Sequence, residues 1–136
     1  MKNRFLTLLS AGALAFTLGV TTLDAKPFLI ADKLPHLTGM VKILWDDEDL
    51  ALTDKQKEQL LVIKKATMGG AKALAKKIYA LEDEVVKLSE DGAKPATLKA
   101  KVDEIATLRA KATMIHLDCI YNTRAILTKE QLYIVE

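Results

Sequence analysis

The strongest constraint on the fold is a series of apolar and small residues between positions 60 and 88, spaced three or four apart. This spacing places every member on one side of an α-helix and is typical of a helical hairpin or a coiled coil. No alternating strand pattern competes with it, so we expect an all-α protein. The members of this first seam are Leu60, Ile63, Thr67, Gly70, Leu74, Ile78, Leu81, Val85 and Leu88.

A second helical seam follows the first after a short link. Asp91-Gly92 favours a helix end, and Pro95 suits the start of the next helix. A link this short predicts that the two long helices lie antiparallel, as a hairpin with short flanking helices. The second seam consists of Leu98, Val102, Ile105, Leu108, Ala112, Ile115, Cys119 and Ile126.

Two copies of the pattern Leu-Thr-x-x-Gln stand at the outer ends of these seams. In each copy the threonine can cap a helix, and the glutamine three residues later can reach back to the amide of the cap. The leucine before each threonine is placed to act as a hydrophobic staple. The boxes therefore predict where the second and fourth helices begin; their residues are Leu52, Thr53 and Gln56, and Leu127, Thr128 and Gln131.

The remaining boundaries follow from turn and breaker residues. We expect an extended arm over residues 26–33, then a first helix that opens at Pro35 and ends near the acidic run 46–49. That run reads as a solvated helix end, with calcium binding as an alternative that lacks the usual loop spacing. Gly69-Gly70 inside the second helix predicts a close helix approach or a gentle kink, with a hinge as a further alternative.

The first 25 residues resemble a secretory signal peptide. Lys2 and Arg4 precede an uncharged run, and small residues follow up to Ala25, after which we place the cut. An uncleaved anchor is the alternative, although the run is short for a membrane span. We therefore expect one all-helical domain over residues 26–136, exported to the periplasm and without a stable span after cleavage.

Charge and cysteine content narrow the classes of partner. Without residues 1–25 the chain is close to neutral, which gives little support for nucleic-acid binding. Cys119 is the only cysteine, so an internal disulfide is excluded. Its thiol is either buried and inert, or free to bridge to another chain or bind a metal. No set of side chains typical of catalysis is found, so we do not expect an enzyme.

Each long helix carries more apolar surface than one seam uses. An interface is expected, since a thin hairpin cannot bury these extra rows alone. They could pack on the first and fourth helices or a partner subunit, or bind unfolded chains together with bordering lysines. The rows comprise Leu61, Met68, Ala75, Tyr79 and Val86 on the second helix, and Ala106, Ala110, Met114, Leu117 and Tyr121 on the third.

An export signal, helical periodicity and two Leu-Thr-x-x-Gln boxes together resemble the Spy/CpxP-like family of periplasmic proteins. The resemblance covers nearly all of residues 26–136 and implies an antiparallel helical dimer shaped as a shallow cradle. It also implies an ATP-independent chaperone or envelope-stress protein that binds unfolded or misfolded envelope proteins, or a regulator docked on a sensor kinase. The matching box residues are expected to be structural.

Metal binding is the alternative function, because related periplasmic proteins respond to zinc, nickel or cobalt. His36 and Met40 are four residues apart, and His116 and Cys119 are three apart, so each pair shares a helix face. If the first helix folds over the long pair, these four could converge on copper(I), or on zinc with another ligand. The competing interpretation is that His116 and Cys119 are ordinary seam residues and that no cofactor is required.

Overall fold

The computed structural model describes residues 26–30 and 33–136, and within this part of the chain it is all-helical, with four helices and no strand. The helices are α1 (Leu37–Ile43), α2 (Asp54–Glu90), α3 (Pro95–Ile126) and α4 (Lys129–Val135). The all-α prediction is therefore confirmed. The predicted signal peptide, residues 1–25, lies outside the described residues.

The two capping boxes set the starts of α2 and α4 as predicted. Thr53 Oγ1 accepts from the amide of Gln56, and the Gln56 side chain accepts from the Thr53 amide. Thr128 and Gln131 repeat both bonds at α4. Because each box satisfies two amides that a helix start leaves unpaired, the boundary is determined within five residues of sequence.

The predicted bounds of the first helix are wrong at both ends. Pro35 precedes the helix, since His36 has non-helical dihedral angles and α1 begins at Leu37. The helix ends at Ile43, before the acidic run, because the chain turns at residues 44–46. Asp47 then accepts from the amides of Asp49 and Leu50, which stabilises the loop that leads into α2.

The long helices α2 and α3 contact each other at several points along the chain. Gln56 near the start of α2 contacts Ile126, Gly70 faces Ile115, and Glu84 pairs with Lys101, so contacts occur in reverse order along α3. A Cβ added at Gly70 would lie 2.9 Å from Cδ1 of Ile115, whereas one added at Gly69 would meet nothing within 4 Å. Gly70 therefore permits the close approach that the sequence predicted as one alternative.

The hydrophobic core is concentrated where the boxes lie. The leucine of each box packs in or against it, although the N4 position of the first box is Lys57, so Leu52 is supported by the core and not by a staple partner. The short helices α1 and α4 cover this end and contact each other. Core residues are Leu37, Val41, Leu50, Leu60, Leu127 and Val135.

The opposite end of the two long helices has no third layer among the described residues. Leu88 and Val102, both predicted as seam members, are exposed there. Ion pairs contribute at this end, including Lys101 with Glu84 and, within α3, Lys99 with Asp103. Exposed pairs of this kind typically add less than about 1 kcal/mol each, so this end is held mainly by the seam itself.

Candidate functional site

The side chains of Gln56 and Gln131 form a reciprocal amide pair, which joins the two boxes. Gln56 Nε2 donates to Gln131 Oε1 at 2.7 Å, and Gln131 Nε2 donates to Gln56 Oε1 at 3.2 Å. The remaining N–H of Gln56 reaches the carbonyl of Ile126 at 3.0 Å, and that of Gln131 reaches the carbonyl of Leu50 at 2.9 Å. Both amides are thus fully used, as buried polar groups require.

This amide clasp connects four separate segments of the chain. It holds the start of α2, the end of α3, the start of α4 and the loop before α2 at one point. The Ala51 backbone has a positive φ of 45°, an uncommon value for a residue with a side chain. That conformation lies beside the Leu50 and Ala51 carbonyls, both of which accept from Gln131. The boxes are therefore structural contacts between helices as well as caps.

Residues 26–29 dock on one face of α3. Arg109 donates from Nη1 to the carbonyl of Lys26 and from Nε to Glu82 of α2, each at 3.0 Å. Thr113 Oγ1 accepts from the amide of Leu29 at 2.8 Å and donates to the carbonyl of Arg109. The predicted arm, of which residues 31 and 32 lie outside the described part, is therefore bound to α3 through the carbonyl of Lys26 and the amide of Leu29.

His116 occupies the centre of an aromatic stack between the arm and α1. Its ring lies 4.8 Å from that of Phe28 and 4.9 Å from that of His36, measured between ring centroids. The residue is 6% exposed, and its Nδ1 atom has no hydrogen-bond partner among the described residues. Lys26 Nζ lies 3.1 Å from Nε2 of His36. A positive charge on His116 would therefore be buried and close to other cationic groups.

The predicted metal quartet is brought together only in part. His36 and His116 are in ring contact, whereas Cys119 Sγ is buried 3.9 Å from the hydroxyl of Thr38 and Met40 is exposed. Within residues 26–30 and 33–136, no three His, Cys, Asp or Glu side chains form a group that could hold a metal.

Two side chains of the acidic run 46–49, those of Asp46 and Asp47, contact other groups of the protein. Asp47 caps its own loop, and Asp46 pairs with Lys57 at 2.9 Å. Lys57 also lies over the ring of Trp45, 5.7 Å from its centroid. All four acidic residues are exposed in a turn, as the sequence predicted.

Most residues of the surplus apolar rows are exposed in the single chain. Tyr121, for example, is 75% exposed. Tyr79 and Leu117 are half-buried. The other exposed members of these rows are Leu61, Met68, Val86, Ala106, Ala110 and Met114.

The chain matches no protein-family model, no curated protein and no solved structure. In the described part of the chain, none of the helices combines the length and apolarity that a membrane crossing needs.

The amide clasp gives the first prediction. We expect Gln131→Ala to lower the free energy of unfolding by about 1–3 kcal/mol, because it leaves buried partners of the amide unpaired. Gln56→Ala should cost a similar amount. The double variant should lose less free energy of unfolding than the two single variants lose in sum. The difference, a coupling energy of about 0.5–3 kcal/mol, is expected because the two residues contact each other. Urea denaturation followed by circular dichroism measures all three.

Gln59→Ala is the matched control, because Gln59 is exposed on the same helix and has no part in the clasp. It should change the stability by no more than about 0.5 kcal/mol. Additive costs of Gln56→Ala and Gln131→Ala would contradict a direct interaction between the boxes.

His116 gives the second prediction. Desolvation by burial, and then the charges of His36 and Lys26, lower the pKa of His116 from its ordinary value. The unfolded chain therefore takes up this proton at a higher pH than the folded chain does. The contribution of His116 to the free energy of unfolding should be fully present above about pH 6.5. It should decrease as the pH falls from there to the folded-state pKa, by at most about 1.4 kcal/mol per pH unit.

A His116→Phe variant keeps an aromatic ring in the stack but cannot titrate. Its stability should depend less on pH than that of the parent protein between about pH 7 and pH 5.5. Urea midpoints measured across this range provide the comparison, and identical slopes for the two proteins would exclude His116 as the source.

Proposed function

We propose that this protein acts in the periplasm as an ATP-independent chaperone or envelope-stress protein that binds unfolded or misfolded envelope proteins. The observation that supports this most is the exposed apolar surface on both long helices. Large apolar patches on a soluble protein mark sites where another chain binds. The sequence features of the Spy/CpxP-like family are consistent with this proposal.

Binding would combine apolar contact with attraction between lysines and acidic client residues. Lys64, Lys65, Lys72 and Lys76 are exposed along α2 beside the apolar row. Burial of apolar surface contributes roughly 25 cal/mol per Å², so a few shallow contacts give weak and reversible binding. Weak binding would also permit release of the client without a nucleotide. The sequence has no glycine-rich loop of the kind that binds nucleotides.

The proposed architecture is a long antiparallel hairpin that pairs with a second copy as a cradle-like homodimer. The reverse order of contacts between α2 and α3 supports the hairpin. The exposed faces of Met114 and Tyr121 on one helix, and of Met68 and Val86 on the other, offer surface for a second copy as well as for clients. A regulatory role on a membrane sensor kinase would use the same exposed faces.

A client aggregation assay gives the third prediction. Light scattering of a chemically denatured client, diluted without nucleotide into excess protein, should be suppressed. The Met114→Gln, Tyr121→Gln double variant should suppress it less, because two exposed apolar contacts are lost. Tyr133→Gln is the matched control, since Tyr133 is exposed on α4 outside this surface. Unchanged aggregation with the parent protein at stoichiometric excess would rule out the chaperone proposal.

A second candidate function is periplasmic metal sensing or buffering, with zinc, copper, nickel or cobalt as the metal. The contact between His36 and His116, with Cys119 one turn further along α3, supports it. Imidazole and thiolate are ligands suited to zinc and copper(I).

Calorimetric titration with zinc and with copper(I) gives the fourth prediction. If the metal function holds, the parent protein binds one of them with micromolar or better affinity. The His36→Ala, His116→Ala, Cys119→Ser variant then loses this binding while keeping its helical circular dichroism. Absence of heat from the parent protein would remove this candidate without affecting the chaperone proposal.

A further inference from the structure

A groove of about 310 Å³ lies between α1 and α2 beside the core. Its apolar lining includes Val41, Trp45, Leu60 and Leu61. A neighbouring hollow of about 260 Å³ shares Thr38, Lys42 and Lys64 with the groove and extends to Met68. The volume of the groove falls at the lower end of the range for small-molecule sites, which are concave, mostly apolar and equipped with a few polar groups.

The charged groups at this groove are both cationic. Lys42 from α1 and Lys64 from α2 line it, and both side chains are exposed. Within the described part of the chain neither forms an ion pair, whereas Lys57 nearby is paired with Asp46. An apolar trough with two unpaired ammonium groups is complementary to a molecule that has an apolar body and an anionic end.

We propose that this groove binds a medium-chain fatty acid. Its alkyl chain would lie along Val41, Trp45, Leu60 and Leu61, and its carboxylate would reach Lys42 or Lys64. Carboxylate–ammonium hydrogen bonds are stronger than neutral ones, which gives the head group a preferred place.

An acidic peptide could pair with the lysines, but its backbone is poorly suited to the apolar lining. A peptide backbone brings one N–H and one C=O per residue, and each needs a partner when it is taken out of water. Thr38 and the two lysines are the polar side chains along the groove, so most backbone groups of a peptide would be left unpaired. An alkyl chain has no such groups.

The groove overlaps the proposed client surface at Leu61, and the neighbouring hollow overlaps it at Met68. A bound fatty acid would therefore cover part of that surface. The inference itself does not depend on chaperone activity, because binding can be measured directly without a client.

Trp45 makes the direct measurement straightforward. It is the only tryptophan of the chain and it lines the groove. Decanoate, added to the full chain below its micelle concentration, should change the fluorescence of Trp45 in a saturable way. Decyl alcohol and decyltrimethylammonium have the same chain with a neutral or a cationic head, and both should bind at least about fivefold more weakly.

Paired lysine variants test the head-group contact. The Lys42→Gln, Lys64→Gln variant should bind decanoate roughly fivefold more weakly, the loss expected from two exposed charge contacts. The Lys72→Gln, Lys76→Gln variant removes two exposed lysines of α2 that lie outside the groove, and it should bind like the parent. Circular dichroism checks that both variants keep the helical content.

Several outcomes would overturn the proposal. One is a fluorescence response to decanoate that does not saturate, or none at all. Another is equal affinity for the three decyl compounds, which needs no variant and so remains decisive if a lysine variant fails to fold. A third is a short acidic peptide that binds at the groove where decanoate does not. An equal loss of decanoate affinity in both lysine variants would show that the effect comes from net charge, and it would also contradict the proposed site.

Discussion

The amide pair between Gln56 and Gln131 is the contact on which the arrangement of the four helices depends. A buried amide with four hydrogen-bonding sites tolerates few positions, because each unpaired group costs about 1–3 kcal/mol. Here the two amides also take up the carbonyls of Leu50 and Ile126, so the loop before α2 and the end of α3 are placed together. The same contacts bring α4 into position beside the core.

The exposed apolar surface follows from where this contact lies. The helices α1 and α4, of seven residues each, lie at the same end as the clasp, whereas α2 and α3 have 37 and 32 residues. Elements of about 10 Å in length cannot cover helices of roughly 50 Å. Most of the surplus rows, including Met114 and Tyr121, therefore remain at the surface of the single chain. The surface proposed for binding is a geometric consequence of a core confined to one end.

The parts of the fold that sequence alone predicted are those set by local chemistry. Thr53 and Thr128 cap their helices through bonds within four residues, and the seam of α2 follows from periodicity. The pairing of Gln56 with Gln131 was not predicted, although antiparallel helices bring the start of α2 close to the end of α3. The bounds of α1 were missed because they depend on the packing of His36 and on the loop held by Asp47, which involve distant segments or loop geometry.

The position of α1 also links the two candidate ligand sites. At its start, His36 stacks on His116 of α3; after its end, the chain enters the loop whose Leu50 carbonyl accepts from Gln131. The groove with Trp45 and Lys42 lies on the side of α1 that faces α2. His116 therefore contacts the residue before the short helix that forms one wall of the groove. Coupling between sites is reciprocal, so if a proton on His116 changes the affinity of the groove for its ligand by some factor, the ligand changes the proton affinity of His116 by the same factor.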